Sequence, residues 1–120
     1  MREPGSGTQD AFQKIFMGAT TVSSSASQKN SNGLVAQGIR SDPRAIGYVS
    51  LDFVRGLNAA AYNGVPCTVR NAKAGTYRGT RNFWFVTRGS PKGAARKFIR
   101  FARSRIAQRR IVSTHWVPLR

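Results

Sequence analysis

The sequence predicts one α/β domain over residues 1–120, on three observations. Two segments, Thr8 to Met17 and Lys92 to Val112, repeat apolar residues at the spacing of a helix face. Two shorter runs, Ala45 to Ser50 and Asn82 to Thr87, are rich in β-forming residues and bounded by turn residues, as strands are. A chain of 120 residues has room for one modest core.

The elements follow in order. Thr8 is placed to cap the first helix and Asp10 suits its positive first turn. Ala11, Phe12, Ile15 and Phe16 make the apolar stripe, and Gly18 is a natural stop. Residues 19–30 are rich in Ser and Thr without periodicity and read as a loop. Ser31-Asn32 caps a helix from Gly33 to Arg40, with Leu34, Val35 and Ile39 inward, ended by Ser41-Asp42-Pro43. The strand from Ala45 to Ser50 comes next, then one or two helical turns from Leu51 to Leu57. Asn63-Gly64 predicts a hairpin turn between 60–62 and 65–69. Asn82 to Thr87 is apolar on both faces, which predicts a strand buried on both sides. The Lys92 to Val112 helix is expected to pack on it through Ala95, Phe98, Ile99, Ala102 and Ile106. The tail, residues 115–119, reads as extended.

Charge is the outlier in composition. The formal net charge is +16. Residues 61–120 hold 14 of the 20 Lys and Arg, and the last of the four acids is Asp52. Such a half attracts polyanions, so non-specific nucleic-acid binding is expected, and a basic nucleic-acid or polyanion-binding domain is the alternative function. No helix-turn-helix, zinc-finger or RNA-binding signature accompanies the charge. No apolar run reaches a membrane span, and no signal peptide is expected at Met1-Arg2-Glu3-Pro4-Gly5. Cys67 is alone, and with His115 the only histidine no metal site of the usual ligands is expected. No nucleophile and acid are placed around His115, so the chain is read as a binding module, not an enzyme, and no cofactor is expected.

The chemistry-bearing stretch is Arg2-Glu3-Pro4-Gly5-Ser6-Gly7-Thr8, which leads straight into a helix. Glycines allow close backbone approach, Ser6 and Thr8 bring hydroxyls, the helix start brings unpaired N–H groups, and Arg2 brings a forked cation. That set cradles an oxyanion. It is not a Walker loop, because no Gly-Lys-Ser/Thr follows, nor a dinucleotide fingerprint, because the third glycine is missing.

The order of motifs resembles the PstS-type phosphate-binding proteins of phosphate ABC transporters, in the type II periplasmic binding protein superfamily. Arg2 to Thr8 followed by Ala11-Phe12 is similar to the family's Arg-x-x-Gly-Ser-Gly-Thr…Phe helix start. Ser31-Asn32-Gly33, Asp42-Pro43 and Ala45-Ile46-Gly47-Tyr48-Val49-Ser50 resemble its Ser-Asn-Gly…Ala-Ile-Gly-Tyr segment. Asn63-Gly64-Val65-Pro66, then Tyr77, Arg81 and Phe83 to Thr87, then Lys97 to Phe101, Gln108 to Val112 and Val117-Pro118-Leu119, continue the match.

The resemblance is to the C-terminal part of such a protein. It implies a partial type II periplasmic-binding-protein fold, one lobe plus the C-terminal helix region. It also implies binding of inorganic phosphate through Arg2, Ser6, Gly7 and Thr8, docking to a phosphate ABC permease, and a periplasmic or extracytoplasmic location. Two departures stand out. Pro4 occupies a position where some members carry a proton-accepting Asp. Ser104-Arg105-Ile106-Ala107 replaces the family's Ser-Pro-Glu-Gly break, so one long helix is expected through it.

Overall fold

Ser6, not Thr8, starts the first helix in a computed structural model that describes residues 1–119. Its hydroxyl accepts from the Gln9 N–H, and helix α1 runs Gly7–Phe12. The helix continues as a single π-type turn over Gln13–Met17 and ends at Gly18. Helix α2, Asn32–Ser41, is capped by Ser31, whose hydroxyl accepts from the Leu34 N–H. Val35 and Ala36 are buried on its inner face, whereas Leu34, expected inward, is 44% exposed.

Asn63-Gly64 makes the expected turn. Both residues have positive φ, 49° and 76°, and Tyr62 and Val65 exchange two main-chain hydrogen bonds of 3.0 Å. Positive φ at both centres is what a type I′ hairpin requires, and Asn-Gly tolerates it. Helix α3, Val69–Ala74, was not expected from the sequence. Thr68 caps it and Gly75 closes it, with the Asn71 carbonyl accepting from the N–H groups of Thr76 and Tyr77.

The long C-terminal helix is two helices. Helix α4, Gly93–Ala102, ends at Arg103, and α5, Arg105–Arg110, restarts on a Ser104 cap that accepts from the Ala107 N–H at 3.2 Å. The break therefore survives without proline or glycine, because an N-cap serine offers the backbone an alternative acceptor.

The expected sheet is not formed among the described residues. There are two isolated bridges, Arg2–Lys29 and Tyr62–Val65. Residues 45–50 and 82–87 belong to no ladder. No main-chain N–H from residue 78 to 90 finds an acceptor among the described residues. The segment expected to be buried is on the surface: Phe83, Trp84, Phe85 and Val86 are 64, 80, 52 and 91% exposed. A doubly apolar run is buried only where sheet neighbours flank it, and none is supplied here. Phe85 does touch α4, meeting Phe98 edge-on at 5.9 Å. Trp84→Ala is accordingly expected to change stability by less than about 0.5 kcal/mol in urea unfolding, as surface changes do. A loss of about 3 kcal/mol or more would place the indole in a core.

What holds the described chain together is a line of aromatic rings. Tyr48 stacks on Phe12 at 3.9 Å and 7°, and Phe12 lies 5.5 Å from Phe16. Phe16 meets Tyr62 at 4.5 Å, and Tyr62 meets Tyr77 edge-on at 6.3 Å. Tyr62 also donates its hydroxyl to the Ile15 carbonyl. Buried residues are few among those described: Val35, Ala36, Tyr77, Ala107 and the polar Ser6. The Cα radius of gyration is 16.4 Å, against about 14 Å for a close-packed domain of this length.

Burial, and then the Cys67 and Tyr62 side chains beside it, push the Tyr77 phenol up to about 12. The folded chain thus holds this proton more tightly than the unfolded chain, whose phenols titrate near pH 10. The resulting stability is complete below about pH 10 and is lost as pH rises toward 12. Comparing urea midpoints of the native chain and Tyr77→Phe from pH 9 to 12 isolates this contribution. The native chain should lose the more stability across that interval.

Candidate functional site

The Gly5-Ser6-Gly7-Thr8 stretch and the start of α2 meet at one place. Thr8 Oγ1 lies 3.3 Å from Ser50 Oγ. The Asn32 amide donates to Ser50 Oγ at 3.0 Å and to Thr8 Oγ1 at 3.4 Å. Asn32 is the first residue of α2, so the Ser31 cap that fixes that helix also aims the amide. Two helix starts and the end of the 45–50 segment thereby converge on three polar side chains. Asn32 Oδ1 is buried with no partner. Such an unmet acceptor is costly and marks a place where a donor belongs.

Ser6 is 7% exposed and is committed to its capping bond. The N–H groups of Gly7 and Thr8 lie in the first turn of α1, where no intrahelical acceptor exists. These donors carry the positive end of the peptide dipoles. The Thr8 hydroxyl, already bonded to Ser50 and Asn32, and these two amides stand at the helix start that Ser6 caps.

Arg2 pairs with its neighbour in sequence. Its Nε and Nη2 donate to the two Glu3 carboxylate oxygens at 3.1 and 2.8 Å, and Nη2 also donates to the Asn30 carbonyl at 3.3 Å. The pairing raises the Arg2 pKa and lowers that of Glu3. The Arg2 main-chain N–H donates to the Tyr48 hydroxyl, which itself donates to Gln9 Oε1. Arg2 thus fastens the loop to Tyr48 and to the 29–30 segment.

A second guanidinium, that of Arg81, stands beside the start of α1. The Arg81 Nη1, Nη2 and Cζ atoms lie 3.0, 3.1 and 3.3 Å from the point a Gly7 Cβ would occupy. A Cβ at position 7 would press on that guanidinium, which would have to give by a few tenths of an ångström. The Arg81 guanidinium also lies over the Phe83 ring, 4.8 Å from its centroid, and Phe83 packs edge-on against Trp116 at 5.0 Å. Asn32, Ser50 and Arg81 were within the family-like motifs, but no local pattern singled them out as site residues.

His115 pairs with Asp52 at 2.5 Å, tying the tail to the turn at Leu51–Phe53. Among the described residues no cluster of three or more His, Cys, Asp or Glu side chains exists, and no helix is long and apolar enough to cross a membrane. Two open hollows lie along α4 and the loop before it, between Thr87 and Arg100.

A family model described as a PBP superfamily domain matches residues 1–105. The phosphate-binding protein PstS 2 of Streptococcus agalactiae serotype V (strain ATCC BAA-611 / 2603 V/R) is 31% identical over 129 aligned residues. Its counterpart from serotype III (strain NEM316) matches equally. Each alignment covers 98% of this chain and 44% of the relative, so the chain spans less than half the length of the curated relatives it matches. No solved structure matches.

Proposed function

Since the chain belongs to the PBP superfamily and resembles PstS-type phosphate-binding proteins over almost its whole length, we propose that it binds inorganic phosphate at the start of α1. The observation that carries this reading is the convergence of Thr8, Ser50 and Asn32 beside the free N–H groups of Gly7 and Thr8. Hydroxyl and amide donors at a helix start are suited to a tetrahedral oxyanion. No acid stands among those five groups to repel it.

The chemistry is binding and release. In a solute-binding protein of a phosphate ABC transporter, the cradle would take up phosphate outside the cytoplasm and present it to a membrane permease. One lobe offers one wall of the clamp, so the expected affinity of the chain by itself is roughly millimolar, about −4 kcal/mol. Pro4 cannot accept a proton from hydrogen phosphate, so sulfate is expected to compete. Calorimetric titration with phosphate and with sulfate at 0.1 M salt tests the reading. Saturable heat with phosphate supports it; no saturation up to tens of millimolar overturns it.

A second reading, polyanion binding by the basic half, is favoured by the exposure of Trp84 and Phe83 among cations. Exposed rings stack on bases, and scattered cations hold phosphates without sequence preference. Binding to single-stranded nucleic acid that falls steeply between about 50 and 200 mM salt would belong to that reading, whereas one small anion in a cradle shows a shallow dependence.

A further inference from the structure

We propose that α4 lies flat on an anionic lipid surface, with its apolar face seated at the headgroup level and its cations reaching the lipid phosphates. The inference is independent of the phosphate reading above. At about 3.6 residues per turn, Ala94, Ala95, Phe98, Ile99, Phe101 and Ala102 share one side of the helix. Lys92, Arg96, Lys97, Arg100 and Arg103 take the other. An apolar helix face ordinarily packs on a core. This one does not: no residue of α4 is buried, and Phe98 and Phe101 are 61 and 53% exposed. The ring that Phe98 meets, Phe85, is itself exposed. Exposed apolar side chains continue into α5 at Ile106.

The cations are equally unpartnered by acid. Glu3 pairs with Arg2, Asp10 with Lys14, Asp42 with Arg44 and Asp52 with His115, which occupies every acid of the chain. No carboxylate pairs with a cation of α4 among the described residues. Lys92, Arg96, Lys97 and Arg100 line one open hollow instead.

Charge selects the class of occupant, and the separation of the two faces selects within it. A second copy also carries +16 and is repelled. Single-stranded nucleic acid wants rings and cations on the same side, so that bases stack where phosphates are held. On α4 the two stand on opposite sides. An anionic bilayer offers an apolar layer beneath a layer of phosphates. A helix lying in that boundary buries its rings below, while long Lys and Arg stems bend up to the phosphates. Ten residues of helix extend only about 15 Å, so α4 can lie along a bilayer but not across one.

The test uses the full chain and vesicles made of equal parts phosphatidylglycerol and phosphatidylcholine, or of phosphatidylcholine alone, with binding read by co-sedimentation at 0.1 M salt. The anionic vesicles should bind at least tenfold more tightly. Phe98→Ala with Phe101→Ala should lose at least tenfold on anionic vesicles, yet hold poly-dT within about threefold of the native chain, because it keeps every charge. Lys97→Gln with Arg100→Gln should weaken vesicle binding at least fivefold. A Phe98→Trp variant, read in a Trp84→Phe and Trp116→Phe background, should shift its emission to the blue on anionic vesicles and not on poly-dT or poly-glutamate. That readout keeps the test decisive if circular dichroism shows the alanine pair to be misfolded. No binding to anionic vesicles overturns the inference. So does vesicle binding that the alanine pair leaves unchanged, since attraction by charge alone needs no seated face. If the alanine pair spares vesicle binding but weakens binding of poly-dT or poly-glutamate, the face belongs to nucleic acid or to an acidic polypeptide, and the inference is likewise overturned.

Discussion

Tyr77→Ala is expected to cost about 3 kcal/mol and to lower the melting temperature by roughly 10 °C. Tyr77 is one of the few buried side chains, and it ends the line of rings that runs from Tyr48 through Phe12, Phe16 and Tyr62. Its ring is also close to Gly79: a Cβ there would lie 2.7 Å from Tyr77 Cε1 and from Phe16 Cζ. Truncation leaves a void that the glycine cannot fill and removes the far support of Tyr62. In a chain with so little buried elsewhere, the surroundings have few other contacts on which to fall back. Thermal unfolding followed by circular dichroism checks it, with Tyr77→Phe as the control that keeps the ring and should lose less than about 1 kcal/mol. Equal melting temperatures for Tyr77→Ala and the native chain would mean that the aromatic line is not what holds the fold.

Thr8→Val is expected to weaken phosphate binding by ten- to a hundredfold while leaving the helix content unchanged. The substitution keeps the shape and removes the hydroxyl. A hydrogen bond to a charged group contributes about 1.5 to 3 kcal/mol, and each 1.4 kcal/mol is tenfold in affinity. Ser50 and Asn32 lose a partner as well, since both bond to Thr8 Oγ1. Calorimetry gives the affinity and far-ultraviolet circular dichroism gives the fold. An unchanged affinity would remove Thr8 from the cradle.

Local chemistry made much of this readable beforehand. The Ser31 cap, the Asn63-Gly64 turn and the first helix are decided by residues within a few positions of one another, and they stand where the sequence puts them. Where two nearby residues competed for one role, the pattern was ambiguous. Ser6 and Thr8 are both good caps, and Ser6 prevails because the helix begins at Gly7. Ser104 looked like a surface position in a long apolar stripe, although its capping chemistry was in view. The strands failed for a different reason. A strand exists through its neighbours, and an apolar run at 82–87 says nothing of whether any are supplied.

The candidate site divides the same way. Gly5, Ser6, Gly7 and Thr8 are consecutive and carry their own signature. Asn32, Ser50 and Arg81 arrive from three other segments. Their positions depend on the α2 cap, on the Phe12–Tyr48 stack beside Ser50 and on the Phe83 ring. Arg2, which the sequence also offers, has Glu3 as its immediate neighbour and pairs with it in the structure.

The open backbone between Arg78 and Ser90 has a consequence for how copies of the chain behave together. A row of amides without main-chain partners among the described residues, flanked by exposed Phe and Val side chains, is a template on which another copy can add a strand. Each copy also carries +16, so at low ionic strength like charge keeps them apart. Screening shortens the reach of that repulsion to about 8 Å at 0.15 M salt and about 3 Å at 1 M. Colloidal stability is thus set by the arginines, while the stickiness they restrain is set by the main chain. Added salt relaxes the repulsion within each copy and, by the same screening, brings the adhesive edges of neighbouring copies within range of one another.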